Sequence, residues 1–163
     1  MSLRIGLLSD THGVLRPEVQ EILSGCDYIL HAGDLDSPEI LEELEDLAPV
    51  QAVRGNNDWG GWAGALPRKA RFTLEGYTFF MTHSEWDVPK RLPGVRVVIC
   101  GHSHRYSEKE IDGRLWLNPG SCSWPRGTGR TMMLLDIADG GLNIQKVELD
   151  DGEDGYGREI YRF

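Results

Sequence analysis

The first half of the chain alternates short apolar runs with segments whose apolar residues recur at helical spacing. Short apolar runs bounded by turn residues are typical of buried strands. Three such strands are predicted, at 3–8, 28–30 and 50–53. Pro17 and Pro38 each suit the first turn of a helix, which predicts helices over 18–23 and 38–47. The order β-α-β-α-β favours a parallel sheet covered by helices.

The second half carries hairpin signals instead. Two-residue turns at 75–76 and 112–113 separate strand-like runs, as in tight β-hairpins. Strands are predicted at 71–74, 77–81, 95–100, 107–111, 114–117, 131–137 and 142–149. A short helix or turn is predicted near 88–92, and the glycine- and tryptophan-rich residues 55–66 are predicted to form a functional loop. This half is expected to be mostly antiparallel, and the whole a β-sandwich with helices on its outer faces.

Length and composition restrict the class of protein. The 163 residues suffice for one domain with its own core, and we expect a single domain over 1–163. The net charge of -9 argues against a nucleic-acid partner, and the acidic run 150–154 is predicted to be a solvated loop. Three cysteines without a CxxC pair support neither a zinc knuckle nor disulfides, so a reducing cytoplasm fits best. No stretch reaches membrane-spanning length.

Polar clusters follow five of the predicted strands. Each cluster contributes one candidate ligand directly after its strand, in order Asp10, Asp34, Asn56, His83 and His102. In open α/β sheets, ligands collect beyond the carboxyl ends of the strands, so these clusters would face one crevice if their strands run parallel. Carboxylate, amide and imidazole groups suit divalent transition metals. The sequence therefore predicts a metal site assembled by the fold.

The number of donors distinguishes one ion from two. The candidate ligands are Asp10, His12, Asp34, Asn56, His83, His102 and His104. A tetrahedral zinc ion takes about four ligands, and other single ions take about six. Seven ligands with one shared carboxylate fit two ions of four ligands each. Paired ions about 3.5–4 Å apart suit in-line phosphoryl displacement.

The clusters also follow the order of a known motif set. They are Asp10-Thr11-His12, Gly33-Asp34, Gly55-Asn56-Asn57-Asp58, Thr82-His83 and Gly101-His102-Ser103-His104. This set resembles the ordered motifs of the calcineurin-like metallophosphoesterases. The short chain and the segment 118–121 resemble the small bacterial and archaeal phosphodiesterase branch of that superfamily. The resemblance implies an α/β fold with mixed sheets, arranged as a four-layer α/β/β/α sandwich.

The resemblance also implies how the ligands divide between two divalent transition metal ions. The two sets are Asp10, His12, Asp34 and His104, and Asp34, Asn56, His83 and His102. Asp34 would bridge the ions. In family members these ions are manganese, iron, zinc or nickel, and manganese is the metal that we expect in this protein. The expected catalytic residues are Asp34, Asn56, Asn57 and His83. A hydroxide bridging the ions would attack phosphorus in line, with no covalent enzyme intermediate.

Two positions depart from the family pattern. Asn57 stands where the protein phosphatases of the superfamily have histidine. Because a carboxamide cannot donate a proton near neutral pH, the general acid for a poor leaving group is missing. This favours diesters or activated aryl esters over phosphoprotein monoesters. Ser84 follows His83 where the family usually has glycine, so one wall of the pocket is expected to differ.

Residues near the ligands have two interpretations each. Asp58 either caps a turn or hydrogen-bonds a ligand. Arg105 either reaches a phosphoryl oxygen or is solvated, and Trp59 and Trp86 either stack on a nucleoside or aryl group or pack the loops. His31 has no matching ligand position and is expected to be structural or to support a ligand.

The leading hypothesis is a cytoplasmic, metal-dependent phosphodiesterase acting on a small phosphodiester, with no membrane association. A homodimer is compatible with the resemblance. One alternative is a non-catalytic binding module, because the eukaryotic retromer scaffold subunit has a similar fold. The other is a nuclease, against which the acidic charge argues.

Overall fold

Two five-stranded sheets and three short helices make up the computed structural model, which describes residues 2–126 and 129–149. The strands are β1 (Ser2–Leu8), β2 (Tyr28–His31), β3 (Val50–Ala52), β4 (Lys69–Leu74), β5 (Tyr77–Thr82), β6 (Val97–Ile99), β7 (Tyr106–Ile111), β8 (Arg114–Pro119), β9 (Thr131–Ala138) and β10 (Gly141–Glu148). The helices are α1 (Pro17–Leu23), α2 (Pro38–Glu45) and α3 (Gly61–Gly64). The predicted acidic loop 150–154 lies outside the described residues.

The first sheet has the order β10-β9-β1-β2-β3. Strands β1, β2 and β3 are parallel, with Leu7 opposite Leu30 and Ile29 opposite Val50. Helices α1 and α2 form the two crossovers, as the β-α-β-α-β pattern predicts. Strand β9 adds antiparallel to β1 and forms a hairpin with β10. The carboxyl ends of β1, β2 and β3 therefore share one edge.

The second sheet has the order β4-β5-β6-β8-β7. The hairpins predicted at 75–76 and 112–113 are confirmed, since β4 pairs antiparallel with β5 and β7 with β8. Strands β5, β6 and β8 are parallel, however, so this sheet is mixed and less antiparallel than expected. The parallel pairs matter for function, because they bring the carboxyl ends of β5 and β6 to one edge.

Among the described residues, three apolar clusters hold the layers together. The largest lies between the sheets and includes Ile5, Leu30, Phe79 and Ile99, all fully buried. A second lies between the first sheet and helices α1 and α2. The third covers the outer face of the second sheet, under the segment 85–95. The α/β class and layered arrangement are confirmed, and the molecule is held by burial on both faces of both sheets.

Two local elements differ from expectation. The segment after β5 forms a 3-10 helix at Glu85–Asp87, earlier than the turn predicted near 88–92. The loop predicted over 55–66 contains the four-residue helix α3, which apolar spacing cannot reveal because it is a single glycine-flanked turn. Within the two described ranges, no helix has the length and apolarity needed to cross a bilayer.

Candidate metal centre

The candidate ligands lie in loops that follow parallel strands. Asp10 and His12 follow β1, Asp34 follows β2, and His83 follows β5. His102 and His104 follow β6, and the backbone N–H of His102 donates to Asp10 Oδ2 at 3.0 Å, which joins the loops of the two sheets. The two sheets therefore place their strand ends at the same end of the sandwich, where the loops meet.

Six of the seven candidates form two compact groups. One group is Asp10, His12 and His104, and the other is Asp34, His83 and His102; within each group the potential ligand atoms lie within 4.8 Å of one another. The seventh, Asn56, is exposed and lines a cleft with His83 and His102.

Asp34 lies between the two groups. Its Oδ2 is 3.2 Å from His83 Nε2 in its own group and 3.7 Å from His12 Nε2 in the other. Across the same space, Asp10 Oδ1 is 3.2 Å from His104 Nε2 and 3.7 Å from His83 Nε2. The two groups thus form one continuous polar centre, with carboxylate oxygens on its midline.

Two buried polar atoms in this centre lack hydrogen-bond partners. Over the described ranges, Asp10 Oδ1 and His83 Nε2 are shielded from solvent and unpaired. A buried unpaired polar atom is costly, so each such case requires an explanation. Both atoms are metal-ligand types, and they lie 3.7 Å apart. The donor set therefore fits divalent transition metal ions.

Hydrogen bonds on the far side of the rings orient the imidazoles. The Nδ1 of His83 donates to Ala32 O at 2.7 Å, and the Nδ1 of His104 donates to Trp124 O. Because a carbonyl can only accept, each Nδ1 carries hydrogen, and the Nε2 lone pair is directed into the centre. This is the tautomer that a metal-binding histidine needs.

Asp36, which the sequence analysis missed, plays the same part for His12. Its Oδ2 lies 2.9 Å from His12 Nδ1. On the inner side, His12 Nε2 lies 3.3 Å from His104 Nε2, so a proton or a cation must separate the two lone pairs. The carboxylate of Asp10, 3.6 Å from His12 Nε2, raises the pKa of His12 to about 9, against the opposing effect of burial. A metal ion would compete with that proton.

Both central carboxylates are ionised. Burial acts to raise the pKa of Asp10, but the imidazoles of His104 and His12, whose Nε2 atoms lie 3.2 and 3.6 Å from Asp10 Oδ1, outweigh it and hold that pKa far below its ordinary value. Burial opposes ionisation of Asp34 in the same way, and the imidazole of His83, whose Nε2 lies 3.2 Å from Asp34 Oδ2, lowers its pKa. The centre therefore holds two buried negative charges, which attract cations.

The ligand loops have an unusual backbone. Five candidate ligands adopt positive φ angles: Asp10 (56°), His12 (49°), Asp34 (64°), His102 (70°) and His104 (61°). This left-handed region is uncommon for residues other than glycine and costs roughly 1 kcal/mol or more at each position. Such strain concentrates at functional sites, where surrounding contacts hold it in place.

Asp58 supplies those contacts and is not itself a free ligand. Its Oδ2 accepts the backbone N–H groups of Asp34 at 3.0 Å and Gly55 at 2.8 Å, and its Oδ1 accepts that of Asp36 at 2.8 Å. The carboxylate is 1% exposed. Asp58 therefore has both of the roles that the sequence left open: it caps its own turn, and it fixes the loop that carries Asp34.

Asn57 contacts the central carboxylate. Its backbone N–H donates to Asp34 Oδ1 at 2.8 Å, and its side-chain Nδ2 donates to Asp34 Oδ2 at 3.1 Å. The residue that departs from the family pattern therefore orients Asp34.

A cleft of about 120 Å³ opens beside the second group. Its walls include Asn56, His83, Ser84 and two arginines, Arg54 and Arg68. Neither arginine was identified from sequence, although Arg54 directly precedes the Gly55-Asn56 motif. Guanidinium groups bind phosphoryl oxygens well. The cleft thus combines candidate metal ligands with groups that suit an anionic substrate.

The remaining candidates lie elsewhere. Arg105 and Trp86 line a second, larger cavity. Trp59 is 72% exposed and lines neither the cleft nor that cavity. His31 is fully buried between Gly33 N–H and the hydroxyl of Thr11, and burial lowers its pKa to about 3, so it is a neutral structural residue.

Comparisons with known proteins place this layered α/β sandwich, with its acidic, histidine-rich centre at the strand ends, in a class of phosphoesterases. The model of the calcineurin-like phosphoesterase superfamily domain matches residues 3–140. A probable metallophosphoesterase from Methanothermobacter thermautotrophicus is 40% identical over 147 residues, which cover 82% of this chain and 85% of that protein. The chain belongs to the calcineurin-like phosphoesterase superfamily, with similar proteins named metallophosphoesterase or phosphodiesterase in archaea and bacteria.

Solved structures show the same fold. The structure of a novel archaeal phosphodiesterase is 26% identical, with a TM-score of 0.74, and the match covers 89% of this chain and 100% of that one. Vacuolar Protein Sorting 29 from Cryptosporidium parvum is 20% identical, with a TM-score of 0.72, and the match covers 91% of this chain and 98% of that one. The second likeness concerns the fold alone.

Proposed function

We propose that this protein is a two-metal phosphodiesterase. The observation that carries the proposal is the position of Asp34, whose Oδ2 lies within 3.7 Å of an imidazole nitrogen in each ligand group. A carboxylate placed between two groups of potential ligands is suited to bridging two ions. The unpaired Asp10 Oδ1 and His83 Nε2 support the same conclusion, since cations would satisfy both.

Two sets of side chains would hold the ions. They are Asp10, His12, Asp34 and His104, and Asp34, Asn56, His83 and His102. When bound, paired divalent ions supply a nucleophilic water near neutral pH and neutralise charge on the phosphoryl group. We propose manganese as the bound metal, with iron, zinc or nickel as the alternatives.

The protein itself would bind and orient the substrate. Arg54 and Arg68 line the cleft and would hold the non-bridging phosphoryl oxygens. Asn57 would keep Asp34 in its orientation through two hydrogen bonds. Because an amide at position 57 cannot protonate a leaving group, the site favours diesters whose leaving groups depart readily.

Hydrolysis of bis(p-nitrophenyl) phosphate with added Mn²⁺ tests the proposal. We expect turnover that a chelator abolishes, and a loss of more than about 100-fold in Asp34→Asn, since even the partners of metal ligands contribute about 10–100-fold. Asp112→Asn, an exposed hairpin-turn substitution of the same kind, serves as the matched control and should retain activity. Undiminished turnover in metal-stripped protein would overturn the proposal.

A scaffold role is the second candidate, because the Vacuolar Protein Sorting 29 structures share this fold. The two roles differ in what the purified protein binds. An enzyme retains divalent metal ions and hydrolyses the diester, whereas a scaffold forms a stable complex with a partner and shows no metal-dependent turnover.

A further inference from the structure

A cavity of about 460 Å³ lies on the outer face of the second sheet, toward its β8 and β7 edge. Its walls include Trp86, Arg105, Lys109, Ile111, Trp116 and Asn118. This volume is within the range of small-molecule sites, about 300–1,000 Å³. None of these side chains is a candidate metal ligand, and none lines the cleft beside the second ligand group.

The same two segments of the chain line both this cavity and the cleft beside the second ligand group, through different residues. In the 3-10 segment, Ser84 and Asp87 line the cleft, while Glu85 and Trp86 line the cavity. In the ligand loop, His102 lines the cleft and the next residue lines the cavity. The cleft and the cavity are therefore neighbours, separated by these two segments.

Asn118 joins the cavity to the metal centre. Its Nδ2 donates to Gly101 O at 3.0 Å and to Ser103 Oγ at 3.2 Å, and its Oδ1 accepts from Gly120 N–H at 2.9 Å. With all these bonds made, Asn118 is a fixed part of the wall. It holds the loop that carries His102 in a set position relative to the cavity.

The chemistry of the walls favours an aromatic anion. Trp86 is 87% exposed and lines the cavity, as does Trp116 on strand β8. The indole N–H of Trp116 has no hydrogen-bond acceptor within the described part of the chain. Arg105 and Lys109 outnumber the single acid, Glu85, although the chain carries a net charge of -9. A cationic wall on so acidic a protein favours a negatively charged ligand.

We infer that this cavity binds the non-leaving ester arm of the substrate, and that this arm is a nucleotide. Its base would stack on Trp86, and a further phosphate would face Arg105 and Lys109. Hydroxyl groups of Ser103 and Ser107, also in the wall, suit a sugar. The inference rests on the proposed function, because it assigns an arm of the diester that the metal centre would cleave.

A pair of substrates with the same leaving group tests the inference. With Mn²⁺ present, kcat/KM is compared for the p-nitrophenyl ester of thymidine 5′-monophosphate and for methyl p-nitrophenyl phosphate, whose second arm carries neither a ring nor a charge. We expect Trp86→Ala to lower the value about 10-fold for the thymidine substrate, the loss of one stacked base, and to leave the methyl substrate within about 2-fold. Trp86→Phe should retain the preference. Equal effects on the two substrates, or none, would overturn the inference.

A binding measurement separates this inference from the proposed function. Thymidine 3′,5′-bisphosphate is titrated into metal-free protein in EDTA and followed by tryptophan fluorescence. Lys109→Met should weaken binding at least about 5-fold, because it removes one charge-assisted contact with the ligand. Lys69 is an exposed lysine on the opposite edge strand, so Lys69→Met should leave binding unchanged. Binding with this pattern but no diester hydrolysis contradicts only the proposed function. Hydrolysis without such binding contradicts the nucleotide assignment.

Discussion

Substitution of Asp58 should reveal how much the loops of the metal centre depend on one carboxylate. Asp58→Ala removes the acceptor for the N–H groups of Asp34, Asp36 and Gly55 in a site that is 1% exposed. An unsatisfied buried donor costs about 1–3 kcal/mol. With three donors, and allowing water to enter the space left by the side chain, we expect a loss of about 3–5 kcal/mol in the free energy of unfolding.

Asp58→Asn should be milder, because the two oxygens carry unequal loads. Oδ2 accepts from Asp34 and Gly55, whereas Oδ1 accepts only from Asp36. An asparagine with its oxygen at the Oδ2 position keeps two bonds and turns its NH₂ toward one N–H. We expect a loss of about 1–3 kcal/mol, smaller than for alanine.

Urea unfolding in EDTA measures both variants without a contribution from metal binding. Asp46→Ala, an exposed carboxylate at the end of α2, is the control and should stay within about 0.5 kcal/mol of wild type. A loss below about 1 kcal/mol for Asp58→Ala, or an equal loss for asparagine and alanine, would refute the role of Asp58 as a three-bond support.

Three further outcomes follow. Asn57→His should raise the ratio of monoester to diester turnover, because imidazole can donate a proton near neutral pH; an unchanged ratio in paired p-nitrophenyl assays contradicts the missing-acid argument. Arg68→Ala should lower kcat/KM for the diester about 10-fold, mainly by raising KM. Steady-state kinetics that show an unchanged KM would contradict the role of Arg68 in binding the substrate. The pKa of His31 is about 3 when folded and about 6.5 when unfolded, so below pH 6.5 only the unfolded state takes up a proton. Metal-free protein should lose stability as pH falls from 6.5 toward 4, and His31→Gln should lose less over the same range in urea titrations; equal slopes contradict the assignment.

The order of apolar runs was enough to predict the parallel strands β1, β2 and β3 and the position of the candidate ligands, but not that β9 and β10 join the first sheet. A buried parallel strand is a short apolar run, and the residue that follows it lies at the sheet edge, so Asp10 and Asp34 were identifiable without tertiary information. The same logic located His83 and His102 because β5 and β6 also proved to be parallel.

What could not be predicted depends on contacts between distant segments. Asp36 matters because His12, 24 residues earlier in the chain, turns its Nδ1 toward it. Arg68 reaches the cleft only because it directly precedes β4, which pairs with β5. Positive φ at a histidine leaves no mark in composition, unlike a glycine turn. Side-chain partners and backbone strain are therefore products of packing, which a local pattern does not encode.

The number of metal ions bound per chain tests the central claim most directly. Metal-free protein is dialysed against Mn²⁺, and bound metal is measured by elemental analysis for wild type and for Asp34→Asn. The account predicts two ions per wild-type chain, and weakened binding of both ions in the variant, because one carboxylate serves both groups. A single ion in wild type, or two ions held with unchanged affinity in Asp34→Asn, would contradict it.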